Sequence, residues 1–404
     1  MIKTLYLSYD GLTDPLGQSQ ILPYIRKLSN NREIHIISCE KKENFLQYET
    51  DINEFINEFN IYWHPLSYNK FPPILSTVYD LWKIYLTSIK FHKIFGFTTV
   101  HCRSHLTAII GHYLKKKINI PYIFDMRSFF PEERIDGGLW PQNNFIYKLI
   151  FSYFKKMEKK MLITADHVVV LTEKARQILN LEGNKISVIP CCADFDYFDY
   201  NKISQESVLF AKKTLGIKDD SFVLSYLGSL GTWYMLEEML DFFKVLKSNK
   251  PNSVFLFLSP TDPKFIIEKV KQKGINEDDI YIKFSTRKEL PTLLSVSSVS
   301  IFFIKNTFSK KASSPTKHAE LMGLGIPVIA NSGVGDIDQI ILNTNTGKII
   351  NLDDQNPFED SCKNINELVD IGKDQIRKQG KEIFSLEIGV AKYSEIYSRL
   401  ENFN

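Results

Sequence analysis

The chain of 404 residues carries 50 Lys and Arg against 47 Asp and Glu, a net charge of +3, and 44% of its residues are apolar. That near-balance excludes a strongly basic nucleic-acid binder, and the apolar share excludes a disordered chain. The length exceeds one ordinary core and suits two domains of roughly 200 residues each.

The opening MIKTLYLSYDG turns polar too soon for the apolar segment of a signal peptide, and no apolar run approaches a membrane span. Cys39, Cys102, Cys191, Cys192 and Cys362 form no C-x-x-C pair, so reduced thiols and a cytoplasmic location are expected. Short apolar runs follow in order: Thr4–Ser8, Ile34–Ser38, Thr99–His101, Tyr122–Phe124 and His167–Leu171. Helical periodicity, as in Gln20–Leu28 and Leu106–Lys116, lies between them. The pattern ends near Ile189–Phe198 and restarts at Ser221–Tyr226, Ser253–Leu258, Ile280–Phe284, Val299–Ile304 and Pro327–Ala330. Buried strands alternating with helices predict an α/β fold of two doubly wound, Rossmann-like domains.

In such sheets ligands bind in the loops beyond the carboxyl ends of the strands. The first such loop, DGLTDPLGQSQ, brings Gly17 to a helix start that attracts phosphate, with Gln18, Ser19 and Gln20 as partners for a hydroxyl; a plain turn explains the glycine equally well. Farther on, CRSH places His101, Arg103 and His105 near a strand end, and Asp125, Met126 and Arg127 follow the next strand, with Glu132, Glu133, Arg134 and Asp136 beyond. Ionisable groups from two strand ends can serve a catalytic cleft. GSLGTWY, starting at Gly228, is the corresponding glycine loop of the second domain. The segment KKASSPTKHAELMG supplies the hydroxyls Ser309, Ser313, Ser314 and Thr316 and the charges Lys310, Lys311 and Lys317. Pro315 is placed for the first turn of a helix. A diphosphate needs these donors, and Glu320, three residues after Lys317, suits ribose or sugar hydroxyls. A solvated lysine-rich loop with an i,i+3 ion pair is the plainer alternative. Two D-x-D triplets, Asp194–Asp196 and Asp336–Asp338, have the form of a metal–diphosphate motif, but no metal is expected at either. No zinc-ligand spacing occurs.

Taken in order, these segments resemble the GT-B glycosyltransferases, specifically the retaining family 4 group, over nearly the whole chain. The resemblance is carried by DPLGQSQ, TVHCRSH, IPYIFDMR, ADHVVVLT, VIPCCADFDYF and, most specifically, PTKHAELMGLGIPVIA. It implies two facing Rossmann-like domains, residues 1–195 for the acceptor and 205–380 for the nucleotide sugar. A C-terminal helix in 381–404 would return to the first. It further implies transfer of a sugar, such as a hexose, from a nucleotide-diphosphate donor to a hydroxyl of a glycan or lipid-linked acceptor. Retention, no bound metal and a role in bacterial-type surface polysaccharide or glycoconjugate synthesis go with that reading. The implied donor contacts are Gly17, Gly228, Ser229, Lys310, Ser313, Ser314, Pro315, Thr316, Lys317 and Glu320. Catalytic candidates are Arg127, His101, Arg103 and Glu320, and acceptor candidates are Asp14, Gln18, Gln20, Asp125 and Glu133.

Three positions depart from the family pattern. Ala312 stands where the first acid of E-x7-E belongs, Ser229 takes the place of the usual Arg, and Arg127 that of the usual His. Arg127 would suit a donor sugar carrying a carboxylate. Two aromatic-basic stretches, Leu81–Phe95 and Phe145–Leu162, read either as core helices with a lysine face or as surfaces for an anionic membrane, on the cytoplasmic face of the inner membrane. Two rival functions share the architecture: a sugar-nucleotide epimerase or hydrolase, and a sugar-nucleotide-binding protein without catalysis.

Overall fold

A computed structural model describes residues 2–402. The chain forms two compact units: the segment up to Pro190 together with that from Leu386, and the segment Cys191–Ser385. The first unit holds a seven-stranded sheet of β1 (Lys3–Ser8), β2 (Glu33–Glu40), β3 (Ile61–Ser67), β4 (Thr99–Arg103), β5 (Tyr122–Met126), β6 (His167–Val170) and β7 (Ile186–Val188). Its order is β3-β2-β1-β4-β5-β6-β7, with every neighbour parallel. The second holds β8 (Phe222–Leu227), β9 (Ser253–Leu258), β10 (Ile280–Lys283), β11 (Val299–Phe302), β12 (Val328–Asn331) and β13 (Gly347–Ile350), all parallel, in the order β10-β9-β8-β11-β12-β13. Both orders reverse beside the first strand, between β1 and β4 and between β8 and β11. This is where a doubly wound sheet opens a crevice for a ligand.

Central strands such as β5, β8 and β9 are buried along their whole length, which explains their continuous apolar runs. Three strands lacked such a signal, and all three lie at sheet edges. β3 is half exposed and holds Pro65, β7 has three residues, and β13 is mostly accessible. An edge strand buries less and tolerates proline, so its sequence loses the apolar signature.

The segment from Cys191 to Asp199 packs within the second unit, where Phe195 and Phe198 are buried in the core. Arg377 fastens it. Its guanidinium donates to the carbonyls of Phe195 at 2.8 Å and Phe198 at 2.7 Å, pairs with Asp199 at 3.1 Å, and caps the Gly323 carbonyl at 2.5 Å. One side chain thus joins the start of the unit to the end of the Thr316–Gly323 helix. The last helix, Leu386–Asn402, packs in the first unit on the Leu22–Leu28 helix and β4. Among the described residues, no helix is long and apolar enough to cross a membrane.

Candidate functional site

At the reversal in the second sheet, β8 is followed by Gly228, whose φ of 112° suits glycine. A side-chain carbon there would also stand 3.1 Å from the amine of Lys317. Lys317 occupies the first turn of the Thr316–Gly323 helix and is buried. Its amine lies 3.8 Å from the ring centre of Tyr234 and 4.2 Å from that of Tyr226, and donates to the Tyr226 hydroxyl at 3.2 Å. Burial pushes its pKa down to about 7, against the pull of Glu320. The Tyr226 hydroxyl in turn donates to the Ser229 carbonyl at 2.8 Å, tying the glycine loop to the same cluster. Ser229 itself is exposed.

The anticipated i,i+3 ion pair is absent, because Lys317 turns to the tyrosines and Glu320 pairs with Arg287 at 3.1 Å. Arg287 also lies over the rings of Tyr197 and Phe198, and Tyr197 donates to its carbonyl at 2.6 Å. These partners are remote in sequence, so spacing alone could not reveal them. Pro315 takes the N-cap position, one residue before the helix, and not its first turn. Ser313, Ser314 and Thr316 lie half-buried around this helix start, with the Ser314 hydroxyl accepting from the Cys191 amide at 3.2 Å. Lys310 is buried in a short 3-10 turn with its amine 3.7 Å from the Trp233 ring centre. Two cations, a helix start and a glycine loop therefore converge on one sheet reversal, an environment suited to a diphosphate. His318, on the same helix, is a fully buried ring between Phe302 and Phe384 that burial pushes to about pKa 4. It is a neutral packing residue.

One carboxylate of each D-x-D triplet is engaged by backbone amides. Asp194 accepts from the amides of Asp196 and Tyr197, and Asp338 from that of Gly333. Among the described residues, no group of three or more His, Cys, Asp or Glu could hold a metal.

In the first unit the strands run farther than their apolar cores. His101 and Arg103 lie within β4, and Asp125 within β5, opposite Arg103. They form a buried cluster instead of an open loop. His101 meets the Tyr397 hydroxyl at 2.7 Å and Asp125 at 3.4 Å, and stacks on Tyr6. Arg103 and Arg127 approach Asp125 at 3.8 and 3.4 Å. Burial would raise the Asp125 pKa, but Arg127, His101 and Arg103 together hold it well below the usual range. Burial keeps His101 below its ordinary value against the pull of Asp125. Asp125 is thus a shielded counter-ion, not an exposed acceptor ligand, and His101 is sealed as a spacer between sheet and final helix. Arg127 is the partly accessible member, reaching Gln20 at 3.4 Å.

The loop after β1 also differs from expectation. A side-chain carbon at Gly17 would meet the Gly11 carbonyl at 2.1 Å, so the loop's own backbone already requires glycine. Glu40, which the motifs did not reveal, holds this loop by accepting from the amides of Leu12 and Thr13 at 2.8 and 3.2 Å. Asp14 is bound by Lys41 at 2.8 Å and Asn44 at 2.6 Å, and Gln18 donates to the Thr13 carbonyl. His105 is buried against Glu158 at 2.8 Å, while Glu133 is half-buried on the Phe130–Asp136 helix.

Residues 208–381 match the family described as "Glycosyl transferases group 1". The matched stretch lies within the second unit. The uncharacterized glycosyltransferase MJ1607 of Methanocaldococcus jannaschii is 23% identical over 323 residues, covering 77% of this chain and 75% of that protein. A sucrose-phosphate synthase of Thermosynechococcus elongatus superposes with a TM-score of 0.76 at 15% identity, covering 100% of both chains. The HepE protein of Anabaena, solved with UDP, superposes with a TM-score of 0.71 at 12% identity, covering 99% of this chain and 100% of that one. These likenesses show the GT-B fold, and the stretch matched by the family carries the Lys317 and Glu320 cluster.

Proposed function

We propose that this glycosyltransferase moves a hexose-type sugar from a nucleotide-diphosphate donor to a hydroxyl of a glycan or lipid-linked acceptor. We assign it retention and no bound metal, in surface polysaccharide or glycoconjugate synthesis at the cytoplasmic face of the membrane. The observation that carries the donor side is Lys317, an amine caged by Tyr226 and Tyr234 directly beneath Gly228. Its charge, the helix start and Lys310 would stabilise the diphosphate as it departs, which is the main electrostatic demand of the reaction. Glu320, held by Arg287, would accept from ribose hydroxyls. The prior commitment of Asp194 and Asp338 to backbone amides supports the metal-free reading. In the first unit, Arg127 is the catalytic candidate that remains partly accessible.

Screening UDP-, GDP-, ADP- and CMP-sugars by thermal shift tests the reading. One base class should raise the melting point, and Lys317→Met should diminish that rise without removing it. If no nucleotide stabilises the protein, the donor assignment fails. Ala312, buried where the family has an acid, favours binding without catalysis as the second reading. Stabilisation by a donor without transfer to any acceptor would establish it.

A further inference from the structure

An apolar side chain at position 101 would fill the space under the last helix as well as an imidazole does, yet both nitrogens of His101 face polar partners. Nδ1 lies 2.7 Å from the Tyr397 hydroxyl and Nε2 lies 3.4 Å from Oδ2 of Asp125. All three side chains are at most 1% exposed. Strand register brings them together. Tyr6 of β1 lies opposite His101 and stacks on it at 4.3 Å, while Asp125 of β5 lies opposite Arg103, which shares a face of β4 with His101. Tyr393 of the last helix also borders the imidazole, with ring centres 5.3 Å apart.

These neighbours place the ring proton. Burial keeps His101 below its ordinary pKa, so near neutral pH the imidazole carries one proton. Asp125, held ionised by its cations, only accepts. A lone pair on Nε2 would face a carboxylate lone pair in a buried site. The proton therefore belongs on Nε2, and Nδ1 accepts from Tyr397. The two oxygens of Asp125 then divide their partners. Oδ2 takes His101 and, at 3.8 Å, Arg103, while Oδ1 is presented to Arg127 at 3.4 Å. Arg127 reaches Gln20 at 3.4 Å as well, and both contacts exceed the usual ~2.7–3.2 Å. Its placement is thus sensitive to how the carboxylate is turned. At the far end, Arg32 covers the Tyr397 ring at 4.0 Å and pairs with Glu401 at 2.7 Å, which anchors that ring to the end of the helix.

We propose that His101 and Tyr397 are positioning residues for Arg127: the Tyr397 hydroxyl fixes the imidazole, and the Nε2 proton turns Asp125 so that its other oxygen receives the guanidinium. A use of that guanidinium in sugar transfer rests on the transferase reading; the relay from the last helix does not.

Nitrogen-15 histidine spectra of the full chain read the first link, with the His101 signals identified by their loss in His101→Gln. The wild type should show a protonated Nε2 and a hydrogen-bonded, unprotonated Nδ1, and the Nδ1–H form there would overturn the proposal. His101→Met and His101→Gln are matched in size, and only the glutamine can still donate to Asp125. With sugar transfer as the readout, His101→Met should lower kcat ~10-fold and leave the donor KM in place, and His101→Gln should recover part of the loss. A mere spacer predicts the reverse order, since a buried site prefers the thioether. Tyr397→Phe should lower kcat in the same way and quicken the reaction of Arg127 with phenylglyoxal, followed by peptide mass spectrometry. If Arg127 responds so but no acceptor is ever glycosylated, the transferase reading falls and the relay stands. If transfer proceeds with kcat and Arg127 reactivity unmoved in Tyr397→Phe, the relay falls and the transferase stands.

Discussion

The pKa of Lys317, near 7 and far below that of a free lysine, follows from burying an amine among aromatic rings, against the pull of Glu320. A diphosphate beside it would restore the ammonium, so nucleotide binding should take up a proton. The sign follows from linkage. Below pH 7 the amine is charged in the folded protein and ready for the anion; above it, binding must first protonate the amine and weakens. Between pH 7 and 9, nucleoside-diphosphate affinity should fall about tenfold per unit at most, and Lys317→Met should flatten the profile. Titration in two buffers of different ionisation enthalpy measures the uptake directly, and a flat wild-type profile would refute it. Lys317 and Glu320 were legible because a helix start, a proline and hydroxyls surround them in a continuous segment. Arg287, Tyr226 and Glu40 were not, since their contacts are made by folding and leave no spacing to read. His101 and Asp125 misled in the opposite way. Charged residues near a strand end read as a cleft, but mutual pairing lets them complete the strand.

At the scale of elements, the Leu386–Asn402 helix gives His101 its seal. Tyr397 meets that imidazole, lies under the Arg32 guanidinium at 4.0 Å and is fully buried, while Arg32 pairs with Glu401 at 2.7 Å. Tyr397→Phe keeps the ring and should cost about 1 kcal/mol, the net value of one hydrogen bond. Tyr397→Ala should cost about 3–5 kcal/mol by emptying the aromatic site. Urea denaturation of the first unit checks both; equal losses would mean that the hydroxyl, not the ring, holds the helix. The central strands were legible because burial on both faces enforces apolar runs. β3, β7 and β13 escaped because an edge strand is under no such demand. The strand order itself is invisible in any local pattern, since parallel neighbours are joined through distant crossovers.

At the scale of the whole chain, each unit has its own parallel sheet, and the Lys317 and Glu320 cluster lies entirely within Cys191–Ser385. Scanning calorimetry should resolve a component that nucleotide shifts upward, by about 2.7 kcal/mol of added stability at 100 times its dissociation constant, and another that it leaves in place. A uniform shift of the full endotherm would show instead that the units unfold together. The fork of Arg377 then acquires a practical meaning. Phe195, Phe198 and Asp199 precede the stretch that matches the family, yet all three are gripped by an arginine near its far end. A chimera cut at 205 and 380 would carry that arginine away from its partners and release the underside of the Lys317 helix. Transplanting the second unit with its clasp intact therefore calls for splice points at Pro190 and Leu386.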